Sequence, residues 1–161
     1  KNGTATAAAT TATPAAASFV ERLAPHAQAA SAATGLPAKF MLAQAALESG
    51  WGKREIRHAD GSPSHNVFGI KPGRGWDGKV AEVMTTEYVD GVAQKRLEKF
   101  RAYDSYGEAF SDYARMLSSS PRYREVMAAS DANGFADALQ RAGYATDPLY
   151  AQKLKGVLAR V

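Results

Sequence analysis

One stretch of strict alternation interrupts a chain otherwise punctuated for helices. In Val80–Val89, the residues Ala81, Val83, Thr85 and Glu87 fall on one side of an extended strand. Val80, Glu82, Met84, Thr86 and Tyr88 fall on the other, the period of two that marks a strand. Asp90-Gly91 is a hairpin turn signal, and 94–101 reads as the returning strand. The expected fold is therefore α+β, mainly helical, with one small β-hairpin placed to wall a cleft.

The helices announce themselves by their ends. Ser18 with Glu21 forms a capping box for a first helix over 18–34, which Gly35 stops. Pro37 opens a second helix that reaches Glu48 or Ser49. Ser105 with Glu108 caps a third over 105–118, in which Phe110, Tyr113 and Leu117 share one face. A short helix follows Pro121, another runs from Asn133 to Gly143, and the last is expected to begin at Asp147-Pro148. Residues 1–17 are Ala and Thr with Gly3 and Pro14 and carry no charge beyond Lys1, a composition that reads as a disordered linker. Residues 18–161 are expected to form one domain, with the linker implying an upstream module. The chain begins at Lys1 with no visible secretory signal, so a processed form or a piece of a longer protein is expected.

Chemistry concentrates at Ala45-Ala46-Leu47-Glu48-Ser49-Gly50-Trp51-Gly52, where one carboxylate ends an apolar helix. Desolvation by Ala and Leu side chains, and by the Trp51 ring if it lies close, disfavours the charged form of Glu48. The helix C-terminus carries negative partial charge and acts in the same direction. A carboxylic acid kept protonated near neutral pH is what glycosidic bond cleavage needs as its general acid. Trp51, beside a glycine-rich turn, reads either as a sugar-stacking ring or as core filler. A second carboxylate is required to activate water or to stabilise an oxocarbenium-like centre. Asp77, Glu82, Glu87 and Asp90 are available, and Glu87 is favoured because it shares a strand face with Val83 and Thr85. Tyr144 and Tyr150, in the link Gly143–Ala151, can place hydroxyls in a pocket or anchor a helix junction. Asn66-Val67-Phe68-Gly69-Ile70-Lys71 is compact and apolar enough to pack onto the core, and contributes Phe68 as a further candidate sugar contact.

Several function classes are set aside. The 161 residues include no Cys, which removes disulfides and thiolate metal sites. His26, His58 and His65 lack HExxH or HxH spacing, so neither metal nor cofactor is expected. No apolar run approaches the ~20 residues that span a bilayer, so no membrane insertion is expected. The net charge of +4 suits an acidic polymer, but the basic residues are dispersed without interleaved stacking aromatics, which disfavours nucleic acid.

The Ala45–Gly52 and Asn66–Lys71 segments, Thr86-Glu87-Tyr88, and Gly143-Tyr144-Ala145-Thr146-Asp147-Pro148-Leu149-Tyr150-Ala151 occur in this order. Together they resemble the glucosaminidase domain of glycoside hydrolase family 73, and within it the flagellar members, from about Phe19 to Val161. The resemblance implies a two-lobed, lysozyme-like α+β fold with the hairpin beside the cleft. It implies Glu48 as catalytic acid, Glu87 as second catalytic carboxylate, and Tyr144 as a sugar contact near the reacting centre, with Trp51, Phe68 and Tyr150 as further substrate-binding candidates. The implied activity is endo-cleavage of the β-1,4 bond after N-acetylglucosamine in peptidoglycan, by an inverting or a substrate-assisted route. The implied setting is the periplasm, where a monomer would open the wall for the flagellar rod and meet rod proteins through an N-terminal module. A lytic transglycosylase, a muramidase, or a non-catalytic wall-binding or rod-scaffolding module are the alternatives. The joint presence of Glu48, Glu87 and Tyr144 weighs against the last.

Overall fold

A computed structural model describes residues 13–161, with the side chains of Glu87 and Tyr88 excepted. In chain order the elements are α1 (Pro14–Thr34), α2 (Ala38–Ser49), β1 (Val80–Val89), β2 (Val92–Arg101), α3 (Tyr106–Ser119), a 3₁₀ turn (Pro121–Tyr123), α4 (Arg124–Ala128), α5 (Ala132–Arg141) and α6 (Tyr150–Leu158). This is the mainly helical α+β arrangement with one hairpin that the sequence predicts. Of the expected linker, 1–12 lie outside the described residues.

Helix α1 starts earlier than the Ser18–Glu21 capping box suggested. Thr13 is the N-cap, its hydroxyl accepting from the Ala16 amide at 3.2 Å, and Pro14 follows at the first helical position. Proline there costs nothing, because that amide has no partner in a helix anyway. Gly35 ends α1 in the left-handed region (φ 82°), as expected. The junction at α6 also differs. Asp147 accepts from the Leu149 amide at 2.9 Å and so closes a turn before the helix, which begins only at Tyr150. Helix α5 is capped by Asp131 rather than opened at Asn133, with the Gly134 amide bonded to Asp131 at 2.7 Å.

Helix α2 lies at the centre, between α1 and α6. Every residue from Phe40 to Ala46 is buried, so the helix has no solvent face over nearly two turns. A helix apolar on all sides belongs inside a core rather than on its surface. Around it pack Phe19 and Leu23 from α1, Phe110, Tyr113 and Leu117 from α3, Phe135 and Leu139 from α5, and Leu154 and Leu158 from α6. Phe40 stacks on Phe135 at 4.6 Å, and Phe68 stacks on Tyr113 at 3.9 Å with Phe110 edge-on at 4.9 Å.

The two strands pair antiparallel from Val80–Arg101 to Val89–Val92. Asp90 (φ 52°) and Gly91 (φ 77°) both take positive φ, the two-residue turn that matches strand twist. The second strand therefore starts at Val92, two residues before its expected start. Met84 and Leu97, a cross-strand pair on one face, and Val92 on the other are exposed, and among the described residues the hairpin's bonds to the body gather toward its base. There Arg101 bonds Asp112 of α3 at 2.9 Å and the Lys71 carbonyl at 3.1 Å, and its guanidinium lies 4.7 Å from the Trp76 ring. The Tyr103 hydroxyl donates to the same Asp112 carboxylate at 2.6 Å.

Asn66 connects this base to the core. Its side chain is buried, donating to the Ile70 and Arg101 carbonyls at 2.9 Å each and accepting from the Phe68 and Ile70 amides at 3.2 Å each. One amide group thus satisfies the polar backbone of a buried loop that has no ladder of its own. Replacing Asn66 with Ala leaves those groups unpaired, at about 1–3 kcal/mol for each that water cannot reach. Asn66→Ala is therefore expected to lose at least about 3 kcal/mol of stability by urea denaturation. A loss under about 1 kcal/mol would show that the loop holds without it.

Candidate active site

Glu48 occupies the last turn of α2, where the helix emerges from the core. Gly50 (φ 58°), Trp51 (φ 58°) and Gly52 (φ 83°) then turn the chain through three left-handed positions. The Gly50 and Trp51 amides both reach back to the Ala46 carbonyl, closing the helix end. The sequence places a carboxylate here without a basic neighbour in the last turn. Burial raises the pKa of Glu48 above the ordinary carboxylate value, and a hydrogen bond from the Tyr150 hydroxyl opposes this in part. Glu48 is half-buried, so the acid is desolvated and still reachable.

The partners of Glu48 are themselves fixed. The Tyr150 hydroxyl accepts from Gln44 Nε2 at 3.0 Å, which leaves its proton for the Glu48 carboxylate. Gln44 Oε1 accepts from the Tyr113 hydroxyl. Gln44 is fully buried one helical turn before Glu48 and ties α2 to α3 and α6. Burial and the nearby Glu48 carboxylate both push the Tyr150 hydroxyl pKa far up, so it stays a donor. Gly69 covers the other side of the acid. It takes a positive φ (67°), and a methyl group in its place would come within 3.3 Å of Glu48 Oε2. Only glycine satisfies both the backbone conformation and the close approach.

Tyr144 completes the group. Its hydroxyl donates to the Phe68 carbonyl at 2.8 Å, next to Gly69, and its ring lies 6.0 Å from Tyr150 and 6.2 Å from Tyr123. Tyr144 and Gly69 both line an open cleft of about 550 Å³, together with Ile70, Lys71, Arg101, Met116 and Tyr123. Glu48, Tyr144 and Tyr150, separated by up to 102 positions in the chain, thus meet beside one cleft.

The remaining candidates lie elsewhere. Phe68 is 1% exposed and sandwiched against Tyr113, so its ring is core and only its carbonyl serves the site. Its expected role as a sugar contact is corrected by that burial. Trp51 packs edge-on against Phe19 at 6.2 Å and lies under the Arg160 guanidinium at 5.0 Å. It anchors the helix turn between α1 and the C-terminus, the core-filling alternative for this ring. Glu87 pairs by its backbone with Gln94, about 23 Å along the strand from the Val80–Arg101 pair at ~3.3 Å per residue. Its side chain lies outside the described residues. Gln44, Gly69 and Asn66 were missed from sequence. Gln44 alone carried a signal, as the one polar residue in the run Phe40–Leu47 and one turn from Glu48.

The arrangement offers a single desolvated acid beside a cleft walled by tyrosines. Among the described residues, no group of three His, Asp or Glu is placed to hold a metal ion.

Comparison with known proteins shows the family and the fold. The glucosaminidase family model, described as mannosyl-glycoprotein endo-beta-N-acetylglucosaminidase, matches residues 24–161. The peptidoglycan hydrolase FlgJ of Escherichia coli strain K12 is 51% identical over 143 residues, covering 89% of this chain and 46% of that protein. A peptidoglycan hydrolase mutant from Sphingomonas sp. A1 superposes with a TM-score of 0.79 at 53% identity, over 88% of this chain and 91% of that one. A C-terminally truncated glycoside hydrolase domain from Salmonella typhimurium FlgJ superposes with a TM-score of 0.75 at 51% identity, over 89% and 95%. The chain spans about half the length of the curated relatives it matches. Since the family match takes in α2, the hairpin and the Tyr144 turn, the chain belongs to the glucosaminidase family, glycoside hydrolase family 73.

Proposed function

We propose that this chain hydrolyses the β-1,4 bond after N-acetylglucosamine in peptidoglycan, with Glu48 as the general acid. The observation that carries the reading is the desolvated Glu48 carboxyl, held by Tyr150 and covered by Gly69 at the edge of the Tyr144 cleft. Membership of the glucosaminidase family and the relatives named as peptidoglycan hydrolases support the substrate class. In this reading a glycan strand lies in the cleft and Glu48 gives its proton to the leaving glycosidic oxygen. Burial favours the protonated form by raising the carboxyl's pKa, while Tyr150 orients it. Charge developing at the anomeric carbon is met by Glu87 or by the substrate's own acetamido group, and water completes the cleavage. Glu87 stands in the distal half of β1, so the first alternative needs the hairpin to swing over the cleft. Its bonds to the body, gathered toward the base among the described residues, give it a hinge. Tyr144 contacts sugar near the reacting centre. The FlgJ relatives support a role in opening the periplasmic wall for the flagellar rod, with rod proteins as partners through a further module.

Glu48→Gln is expected to cut turnover of purified peptidoglycan by ~10²–10⁴-fold, the usual range for a positioned general acid. Mass spectrometry after borohydride reduction should find reduced N-acetylglucosamine ends from the wild type. Anhydro-muramic ends would make the enzyme a transglycosylase, and wild-type activity in the variant would remove Glu48 from the reaction.

The raised pKa of Glu48 also sets two pH dependences. Activity should decline as pH rises through that raised value, because the acid must carry its proton, and Glu48→Gln should lose this limb from any residual rate. Stability follows the same sign. Between the unfolded carboxyl value near 4.5 and the raised folded value, the folded chain binds the extra proton. Stability is therefore lost as pH rises through this window, and Gln does not carry the cost. Thermal melting should show Glu48→Gln equal to wild type near pH 4 and higher-melting at pH 7. A variant that melts lower at pH 7 would show that Glu48 stabilises the fold instead.

For Glu87→Gln, a loss of activity with unchanged melting is expected. An unchanged kcat/KM on soluble glycan fragments would leave the acetamido route as the sole means of handling the anomeric charge.

A further inference from the structure

The cleft beside Glu48 is basic. Lys71, Arg101 and Arg122 line it, and among the described residues no carboxylate does. Two of these cations are already matched, Arg101 by Asp112 at 2.9 Å and Lys71 by Glu98 at 3.2 Å. Arg122 has no acidic partner among the described residues. Its Nε donates to the Ala142 carbonyl at 2.7 Å and its Nη2 to the Gly143 carbonyl at 2.5 Å, and its guanidinium lies 5.2 Å from the Tyr123 ring centre. Carbonyl dipoles orient a guanidinium without cancelling its charge. Two of its five N–H groups are used in this way, which leaves the Nη1 end free to donate.

Arg122 also borders a second hollow of about 340 Å³, shared with Arg124, Glu125 and Arg141. There Arg141 pairs with Glu125 at 3.2 Å, while Arg124 has no acidic partner among the described residues. Two unneutralised guanidinium groups therefore border adjoining hollows, one of which is the cleft that Tyr144 lines. Chains of N-acetylated sugars are neutral in their rings, whereas the peptide stems of peptidoglycan carry carboxylates.

We infer that Arg122, with Arg124 beside it, forms a carboxylate subsite for the peptide stem of a glycan strand lying in the cleft. The inference rests on the peptidoglycan reading above and gives it a specificity. Guanidinium forks bind carboxylates through paired, charge-assisted hydrogen bonds. Arg122 holds the two carbonyls immediately before Tyr144, so a stem bound there is placed in register with the tyrosine that lines the cleft. The enzyme then favours strands that still carry their acidic peptides over strands that have lost that charge.

The test uses glycan strands with free stem carboxylates and the same strands after carbodiimide-mediated amidation. The readout is the ratio of kcat/KM between the two forms. The wild type should prefer the free carboxylates about tenfold, the size expected for a hydrogen bond to a charged group, and the preference should shrink with added salt. Arg122→Gln should bring the ratio close to one, Arg122→Lys should retain part of it through charge alone, and Arg124→Gln should lower it partway. If Arg122→Gln slows both substrates equally and leaves the ratio intact, Arg122 is only a clamp on the Tyr144 turn and the subsite is overturned. A wild type that cleaves both forms equally well removes the subsite while the peptidoglycan reading stands. A wild type that cleaves neither removes that reading, and the subsite with it.

Discussion

A polar side chain inside an apolar helix must find partners or destabilise the fold, and in α2 that requirement organises the site. Gln44 is fully buried among Phe40, Met41, Leu42, Ala43, Ala45 and Ala46. An unpaired amide at this depth would cost about 1–3 kcal/mol per group left unbonded. Its two ends are instead met by Tyr113 from α3 and Tyr150 from α6. Because its donor end points at Tyr150, that hydroxyl has its proton to offer, and Glu48 one turn later receives it. The same contacts that satisfy Gln44 therefore join three helices and orient the acid. Hydrocarbon in place of the set would fill space but would leave the carboxyl without the Tyr150 hydrogen bond that orients it.

How much of this was legible follows the range of the forces involved. Local signals were readable, since Gly35, Pro37, Ser105 and Asp90-Gly91 act through their own backbone and end elements where expected. Local signals also compete. Ser18 had a cap's chemistry, but Thr13-Pro14 offered an earlier start and a core contact through Ala16, so the helix begins there. Glu48 stood out because part of its setting is local, a carboxylate ending an apolar run, although Gly69 and Tyr150, which reach it, come from elsewhere in the chain. Phe68 was misjudged for the complementary reason, and Trp51 stayed open between sugar and core. Nothing in an aromatic residue's neighbours tells whether its ring meets substrate or core, and Tyr113 and Phe19 are 45 and 32 positions away, respectively. Asn66 and Gly69 were invisible, because what they satisfy is created only when the 66–71 loop, Arg101 and α2 come together.

The hairpin obeys a different logic from the helical body. It is a two-stranded ribbon, a unit of marginal stability alone, and its outer apolar residues stay exposed. What fixes it is polar and concentrated at one end: Arg101 and Tyr103 on Asp112, and Asn66 on the Arg101 carbonyl. The Arg101–Asp112 pair is mostly shielded, with 15% and 19% of each side chain exposed, so it is weakly screened and costly to break from one side. A base tied by charged and amide groups, with Val89 and Val92 exposed at the far end, is consistent with the proposed pivoting of the arm that carries Glu87.

Basic clefts and protonated acids are normally in conflict, since a cation within a few ångströms of a carboxyl lowers its pKa and removes the proton that a general acid must hold. Here the two are kept apart. The influences on Glu48 are its burial and the Tyr150 hydroxyl, and none of Lys71, Arg101 or Arg122 is among them. Arg122 is held outward by the Ala142 and Gly143 carbonyls, and Arg101 is neutralised by Asp112. Between these cations and the acid stand uncharged groups: the Gly69 backbone, the Phe68 carbonyl and the Tyr144 hydroxyl. That spacing puts positive charge along the cleft's wall while burial still raises the acid's pKa. A glycan whose charge sits on its side branches and whose reacting bonds are neutral is the substrate such a separation fits.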